Sequence, residues 1–192
     1  MDGCFCSQYI EAAKNKGYEI LLLDSPIVSH LIQKLEGSKE NISFVRVDGD
    51  HIDKLIQKDE ETISKLSDEE KEALKTDLET VVPKEKYTVQ LEASDSDAMP
   101  FMITQPEFMR RMKEMQQSGG GGGMFGMGNM PEMYNLIVNT NHELVGEIIN
   151  SKTAEEKERL IAQALDLAKL SQNLLKGEEL TAFVKRSYKM IK

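Results

Sequence analysis

The sequence predicts an α+β protein: a small curved sheet of about three strands carrying helices, preceded by a truncated α/β piece. Three observations carry that expectation. Short strand-like runs at 87–91, 101–104 and 134–138 are set apart by turn chemistry, an alternation of helix and strand patterns fills only residues 1–50, and 152–191 read as two amphipathic helices. A chain of 192 residues fits one ordinary domain, or one small domain with part of another, and the second is the expectation here.

Residues 9–16 suit a helix, with Gly17 as its left-handed cap. Tyr18-Glu19-Ile20-Leu21-Leu22-Leu23 follows as an apolar run of buried-strand length. Asp24-Ser25-Pro26 turns the chain, Ile27, Val28, Leu31, Ile32 and Leu35 fall at helical spacing, and Gly37 closes that helix. Ile42-Ser43-Phe44-Val45-Arg46-Val47 reads as a second strand. Strand, crossover helix and strand imply a parallel pair. Parallel strands are normally buried on both faces within larger sheets, so the pair looks cut from something bigger, and the chain is expected to begin inside a domain.

From 51 to 86 the sequence is charged and helix-prone, and Ser67-Asp68-Glu69-Glu70 forms a capping box ahead of Ala73, Leu74 and Leu78. Pro83 limits that helix. Tyr87-Thr88-Val89-Gln90-Leu91 alternates as a half-buried strand does, and Ser94-Asp95-Ser96-Asp97 is loop chemistry before the strand Phe101-Met102-Ile103-Thr104. Pro106 opens a helix in which Phe108, Met112 and Met115 stand at i, i+4 and i+7 with Met109 beside them. The glycines of 119–123 and the methionines around them make 117–132 a flexible loop. A methionine stripe is often plain core; its place between a short strand and a glycine run, and the adaptability of the thioether, favour contact with varied partners.

The last two helices are expected to join near Lys176-Gly177. In the first, Leu160, Ile161, Ala164, Leu165, Leu167, Ala168, Leu170, Leu174 and Leu175 spread over roughly 220° of arc, more than one packing partner needs. In the second, Leu180, Phe183, Val184, Tyr188 and Ile191 make a stripe, with Glu178 and Glu179 at its start and Lys189 and Lys192 at its end to suit the helix dipole. Packed on the same pair from a second copy, these helices make a four-helix bundle. The expected dimer interface is Leu160, Ile161, Ala164, Leu165, Ala168, Leu175, Leu180, Phe183, Val184, Tyr188 and Ile191.

Composition narrows the partners. A net charge of -9 repels phosphate backbones and anionic lipid headgroups, which disfavours nucleic acid and membranes. Cys4 and Cys6 are too close in sequence for an ordinary structural disulfide and have no further Cys to complete a metal set, so a reducing cytoplasm is the simplest location. The opening residues lack the pattern of a signal peptide, and no apolar run approaches the roughly 20 residues that span a bilayer. His30, His51 and His142 are scattered singly, with His142 suited to hydrogen bonding near a helix start, and no metal-ligand spacing occurs. Gly119 to Gly123 lacks the Lys-Ser/Thr of a phosphate loop. The alternative to a binding module is a nucleotide-binding protein or enzyme built on the N-terminal segment, whose strand ends offer Asp24, Ser25 and Asp48 to Asp50.

Several segments, in order along the chain, resemble the heat shock protein 90 chaperone family, in particular its bacterial HtpG type. Tyr9 through Asp24, with Lys14-Asn15-Lys16-Gly17-Tyr18-Glu19 at its centre, is similar to the end of that family's middle domain. Pro100 to Thr104, the methionine helix, and Asn135 to Val145 resemble its C-terminal domain, and Ala164-Leu165-Asp166-Leu167-Ala168 and Ala182-Phe183-Val184-Lys185-Arg186 its two dimer helices. Thr140 stands where the family usually has proline, and Asp97-Ala98-Met99 departs from the family's Ser-Pro-Ala; both read as loop variation.

The resemblance implies that 1–50 are the C-terminal part of the middle domain and 51–192 a dimerisation and client-contact domain. The partners are then a second copy and unfolded client proteins, met through Phe108, Met109, Met112 and Met115. The family's ATP and magnesium site lies upstream of residue 1, so this chain is expected to hold no cofactor and to be no enzyme. Its end, Tyr188-Lys189-Met190-Ile191-Lys192, lacks the acidic Met-Glu-Glu-Val-Asp tail that recruits tetratricopeptide-repeat cochaperones.

Overall fold

The computed structural model describes residues 7–23, 25, 27–39, 41–49, 62–105, 109 and 133–191. In chain order these form α1 (Ser7–Asn15), α2 (Val28–Ser38), α3 (Asp68–Val81), β1 (Tyr87–Glu92), β2 (Phe101–Thr104), β3 (Tyr134–Asn139), α4 (Glu143–Asn150), α5 (Ala154–Ser171) and α6 (Gly177–Met190). Helices and a mixed three-stranded sheet make an α+β protein, and the three expected strands are all present.

The central strand is β3, parallel to β1 and antiparallel to β2. Its continuous apolar run Leu136-Ile137-Val138 suits that place because both of its faces are covered. Alternation divides the sheet. Phe101, Ile103, Leu136 and Val138 face the main core, where they meet Leu74 and Leu78 of α3, Val145 and Ile148 of α4, and Ile161, Ala164, Leu165 and Ala168 of α5. Met102 and Ile137 point to the opposite face and pack with Tyr9 of α1.

Local chemistry sets the helix ends. The Ser67 hydroxyl accepts from Glu70 N–H at 3.3 Å, while the Glu70 carboxylate accepts from Ser67 N–H at 2.8 Å, which completes the expected capping box. At the end of α1, Tyr18 N–H donates to Ala13 O and Gly17 N–H to Lys14 O, with Gly17 at φ 75°, the Schellman arrangement that glycine permits.

The capping box makes a pH prediction. The Ser67 N–H first, and its hydroxyl second, hold the Glu70 carboxyl below its ordinary value of 4.5. The stability this group contributes is present above that unfolded value and lost as pH falls through the lower folded one. In thermal melts Glu70→Gln is expected to be less stable than wild type at neutral pH, with the two curves converging in acid; a gap that persists unchanged in acid refutes the assignment.

Three expectations about elements are corrected. Residues 18–23 and 42–46 are irregular, so the parallel strand pair is absent. The reason is coverage: Leu21 and Leu22 are 69% and 79% exposed, and no further strand among the described residues flanks them. Gly37 lies inside α2, which Lys39 N–H closes on Leu35 O; the left-handed residue beyond it is Asn41. The first C-terminal helix stops at Ser171 and excludes Leu174 and Leu175. There Asn173 at φ 55° takes the left-handed position, with Leu174 N–H on Lys169 O and Asn173 N–H on Leu170 O.

Candidate functional site: the outer face of the C-terminal helix hairpin

Helices α5 and α6 form a hairpin held by a polar cluster along its seam. Arg186 donates from Nε to Gln163 Oε1 at 2.8 Å and from its terminal nitrogen to the Asp166 carboxylate. Gln163 in turn donates to the Ser187 hydroxyl at 2.9 Å, and Lys169 lies 3.5 Å from carboxylate oxygens of Asp166 and Glu179. The planar guanidinium suits this seam because it bonds two side chains at once.

At the far end, Gln172, the C-cap of α5, donates to the Tyr9 hydroxyl. The N-terminal helix therefore braces the hairpin turn as well as the sheet.

The wide apolar arc of α5 resolves into two faces. Ile161, Ala164, Leu165 and Ala168 span roughly 100° and sit 0–4% exposed in the chain's own core. Leu175 and Phe183 are buried too. These six expected interface residues are thus buried in the single chain, and the four on α5 pack in one core with the sheet and α3.

The other side is open. Leu167 and Leu170 on α5 are 51% and 38% exposed, and on α6 Val184, Tyr188 and Ile191 are 42%, 70% and 82% exposed. Leu180, Val184, Tyr188 and Ile191 share roughly 80° of arc at 100° per residue, and Leu160 is half-buried near the outer side of α5. Sequence reasoning placed Leu167 and Leu170 in the arc but left them out of the interface. Their spacing from Leu160, i+7 and i+10, is the signal that assigns them to the outer face.

Of the four client-contact residues, Phe108, Met112 and Met115 lie outside the described residues, as does the whole of the loop 117–132; Met109 is described and partly buried. Asp24, Asp50 and His51 also lie outside. Asp48 is paired bidentately with Arg46 at 2.6–2.7 Å. His142 does what its position implied: its Nδ1 accepts from Leu144 N–H at 3.0 Å and caps α4.

A polar hub at the end of β3 was not foreseen. Asn139 Oδ1 accepts from Ser94 N–H and Asn141 N–H, both at 3.1 Å, and its Nδ2 donates to Asp95 O at 2.8 Å. Asn141 accepts from Lys65 N–H at 2.8 Å and donates to Ile63 O and Ser94 O. Between them Thr140 N–H donates to Glu92 O at 2.8 Å, a bond that proline at this position lacks, so Thr140 is more than loop variation. Among the described residues no helix is long and apolar enough to cross a membrane, and no cluster of His, Cys, Asp and Glu could hold a metal ion.

Comparison with known proteins places these features in a lineage. The family model described as Hsp90 protein matches residues 3–192. A chaperone protein HtpG of Bacteroides thetaiotaomicron is 32% identical over 250 residues, covering 95% of this chain and 36% of the relative. A chaperone protein HtpG of Porphyromonas gingivalis is 36% identical over 175 residues, covering 89% of this chain and 24% of the relative. The chain thus spans well under half the length of the curated relatives it matches.

Proposed function

Since the chain belongs to the Hsp90 protein family, we propose that it is the dimerising, client-holding portion of an HtpG-type chaperone and performs no chemistry of its own. Residues 51–192 carry both roles, and 1–50 are the end of the preceding domain. ATP and magnesium act elsewhere in the full-length family. The cytoplasm is the proposed location.

The observation that carries this reading is the uncovered apolar face of the α5–α6 hairpin, with Tyr188 and Ile191 70% and 82% exposed. Scattered exposed apolar residues need no explanation, but a helical stripe of them beside a well-packed core marks an interface. A second copy is the commonest partner for such a face, because a two-fold axis buries the same stripe twice and leaves no open end. In this dimer Leu160, Leu180, Val184, Tyr188 and Ile191 meet the partner together with Leu167 and Leu170, while the inner residues hold the helices in place.

Clients are met through Phe108, Met109, Met112 and Met115. Burying four such side chains contributes at most about 6–12 kcal/mol at roughly 1.5–3 each, and ordering costs remove much of that. Single-site capture is therefore weak. Two copies on one dimer raise the effective affinity without new contacts and still let the client go.

Sedimentation velocity at about ten micromolar, where micromolar dissociation constants are read, together with protection of a heat-unfolded reporter enzyme from aggregation, tests the reading. A dimer that suppresses light scattering is expected; a strict monomer, or a dimer without protection, refutes it. Met112→Ser combined with Met115→Ser is expected to lower protection several-fold while leaving dimer and melting temperature unchanged.

A further inference from the structure

The two edges of the sheet are treated differently. The order β1-β3-β2 makes β1 and β2 its outer strands. Tyr134 N–H donates to Lys86 O at 2.9 Å and Thr140 N–H to Glu92 O at 2.8 Å. At period two the even-numbered residues of β1 therefore bond to β3, and Val89 and Leu91 direct their N–H and C=O groups away from it. On the other side Asn139 N–H donates to Pro100 O at 2.8 Å, which leaves Phe101 and Ile103 as the outward residues of β2.

That second edge is engaged at Ile103. The Tyr9 hydroxyl donates to the outward carbonyl of Ile103 at 3.1 Å, and Tyr9 is itself buried. No described residue does the same for Val89 or Leu91. Proteins usually blunt an open edge with lysine, proline or a bulge, yet Tyr87-Thr88-Val89-Gln90-Leu91-Glu92 holds no lysine and no proline. Beside it runs a groove of about 300 Å³ between α3 and β1, lined by Lys75, Glu79, Val82, Lys84, Tyr87 and Val89 among others.

We propose that the outer edge of β1 accepts an extended segment of unfolded polypeptide as a fourth strand. Main-chain bonds to Val89 and Leu91 hold the segment, and one of its apolar side chains enters the groove at Val82 and Tyr87. Two lysines against one glutamate give the groove a net positive charge within a chain of net charge -9, so a segment with an acidic residue beside the inserted one is favoured. Recognition through the main chain is indifferent to most of the sequence, which suits a holder of many clients. The inference rests on the client-holding reading and adds a second contact surface to it.

The probe is a fluorescein-labelled hexapeptide of alternating valine and threonine with one glutamate, read by anisotropy against the full chain and by amide exchange at Val89 and Leu91. Val89→Pro removes an N–H that faces outward and takes no part in the ladder to β3, so the sheet is expected to persist. Binding about ten-fold weaker in Val89→Pro is expected, a similar loss when alternate peptide amides are N-methylated, and slowed exchange at Leu91 when the peptide is present.

Equal binding of the N-methylated peptide, or unchanged exchange at Leu91, overturns the proposal. Both of these use the wild-type protein and decide the matter even if Val89→Pro does not fold. The Met112→Ser, Met115→Ser variant separates the two surfaces. Peptide affinity is expected to survive in it even where protection from aggregation falls; peptide binding that disappears with the methionines overturns the edge and assigns the peptide to the methionine helix.

Discussion

Replacing Tyr188 and Ile191 together with aspartate is expected to give a folded monomer at concentrations where the wild-type chain is a dimer. Both side chains are mostly exposed in the single chain, so the substitution leaves the protomer core untouched. In the proposed bundle each position occurs twice about the two-fold axis, and the change buries four carboxylates with no partners. Truncating a central aromatic alone costs about 2–4 kcal/mol of association, and an unpaired buried charge costs several more. The dissociation constant should rise at least about a thousand-fold, since each 1.4 kcal/mol is a factor of ten.

Sedimentation velocity reads the mass and circular dichroism the fold. A variant that dimerises with wild-type affinity removes the hairpin face from the interface and with it the dimer reading. Leu165→Asp is the contrasting control: Leu165 is 4% exposed in the core, so it is expected to unfold the chain rather than merely split a dimer.

The largest loss of stability from a single polar side chain is expected at Asn139. Its Oδ1 serves two backbone N–H groups and its Nδ2 one carbonyl, and the residue is 2% exposed. Asn139→Ala strands the amides of Ser94 and Asn141 where solvent has little access. At about 1–3 kcal/mol for each unsatisfied group the loss is roughly 3–5 kcal/mol, and a chain of this size loses about 2–4 °C for each kcal/mol.

A fall in melting temperature of about 10 °C is the expected result. Because the hub ties the end of β3 to the loop after β1 and to residues 63–65, amide exchange should quicken at Lys65 and Ser94 before it does in β3. A fall of only a degree or two means that water replaces the side chain and that the hub is not a structural lock.

Signals confined to neighbouring residues were legible. Ser67 with Glu70, Gly17 after α1, His142 before α4 and the strand patterns at 87, 101 and 134 all act within a turn or a strand, and each is found where its chemistry placed it. The Asn173 cap was just as local and was overlooked, because the leucines beyond it continue the helical period and asparagine is a weaker left-handed signal than glycine.

What the amino-acid sequence determined by itself is the three strands, the amphipathic helices that follow them and membership of the family, since these depend on period, caps and motif order. Tertiary structure alone decided which half of the α5 arc is core and which is left uncovered. It also made strands of only three among five apolar runs, set Tyr9 on the Ile103 carbonyl at one sheet edge and joined Asn139 and Asn141 to distant backbone. The physical reason is that burial and hydrogen-bond satisfaction belong to pairs of segments. A leucine run such as Leu21-Leu22-Leu23 carries the propensity for a strand, but only a neighbouring chain that covers its faces and takes up its backbone groups makes it one.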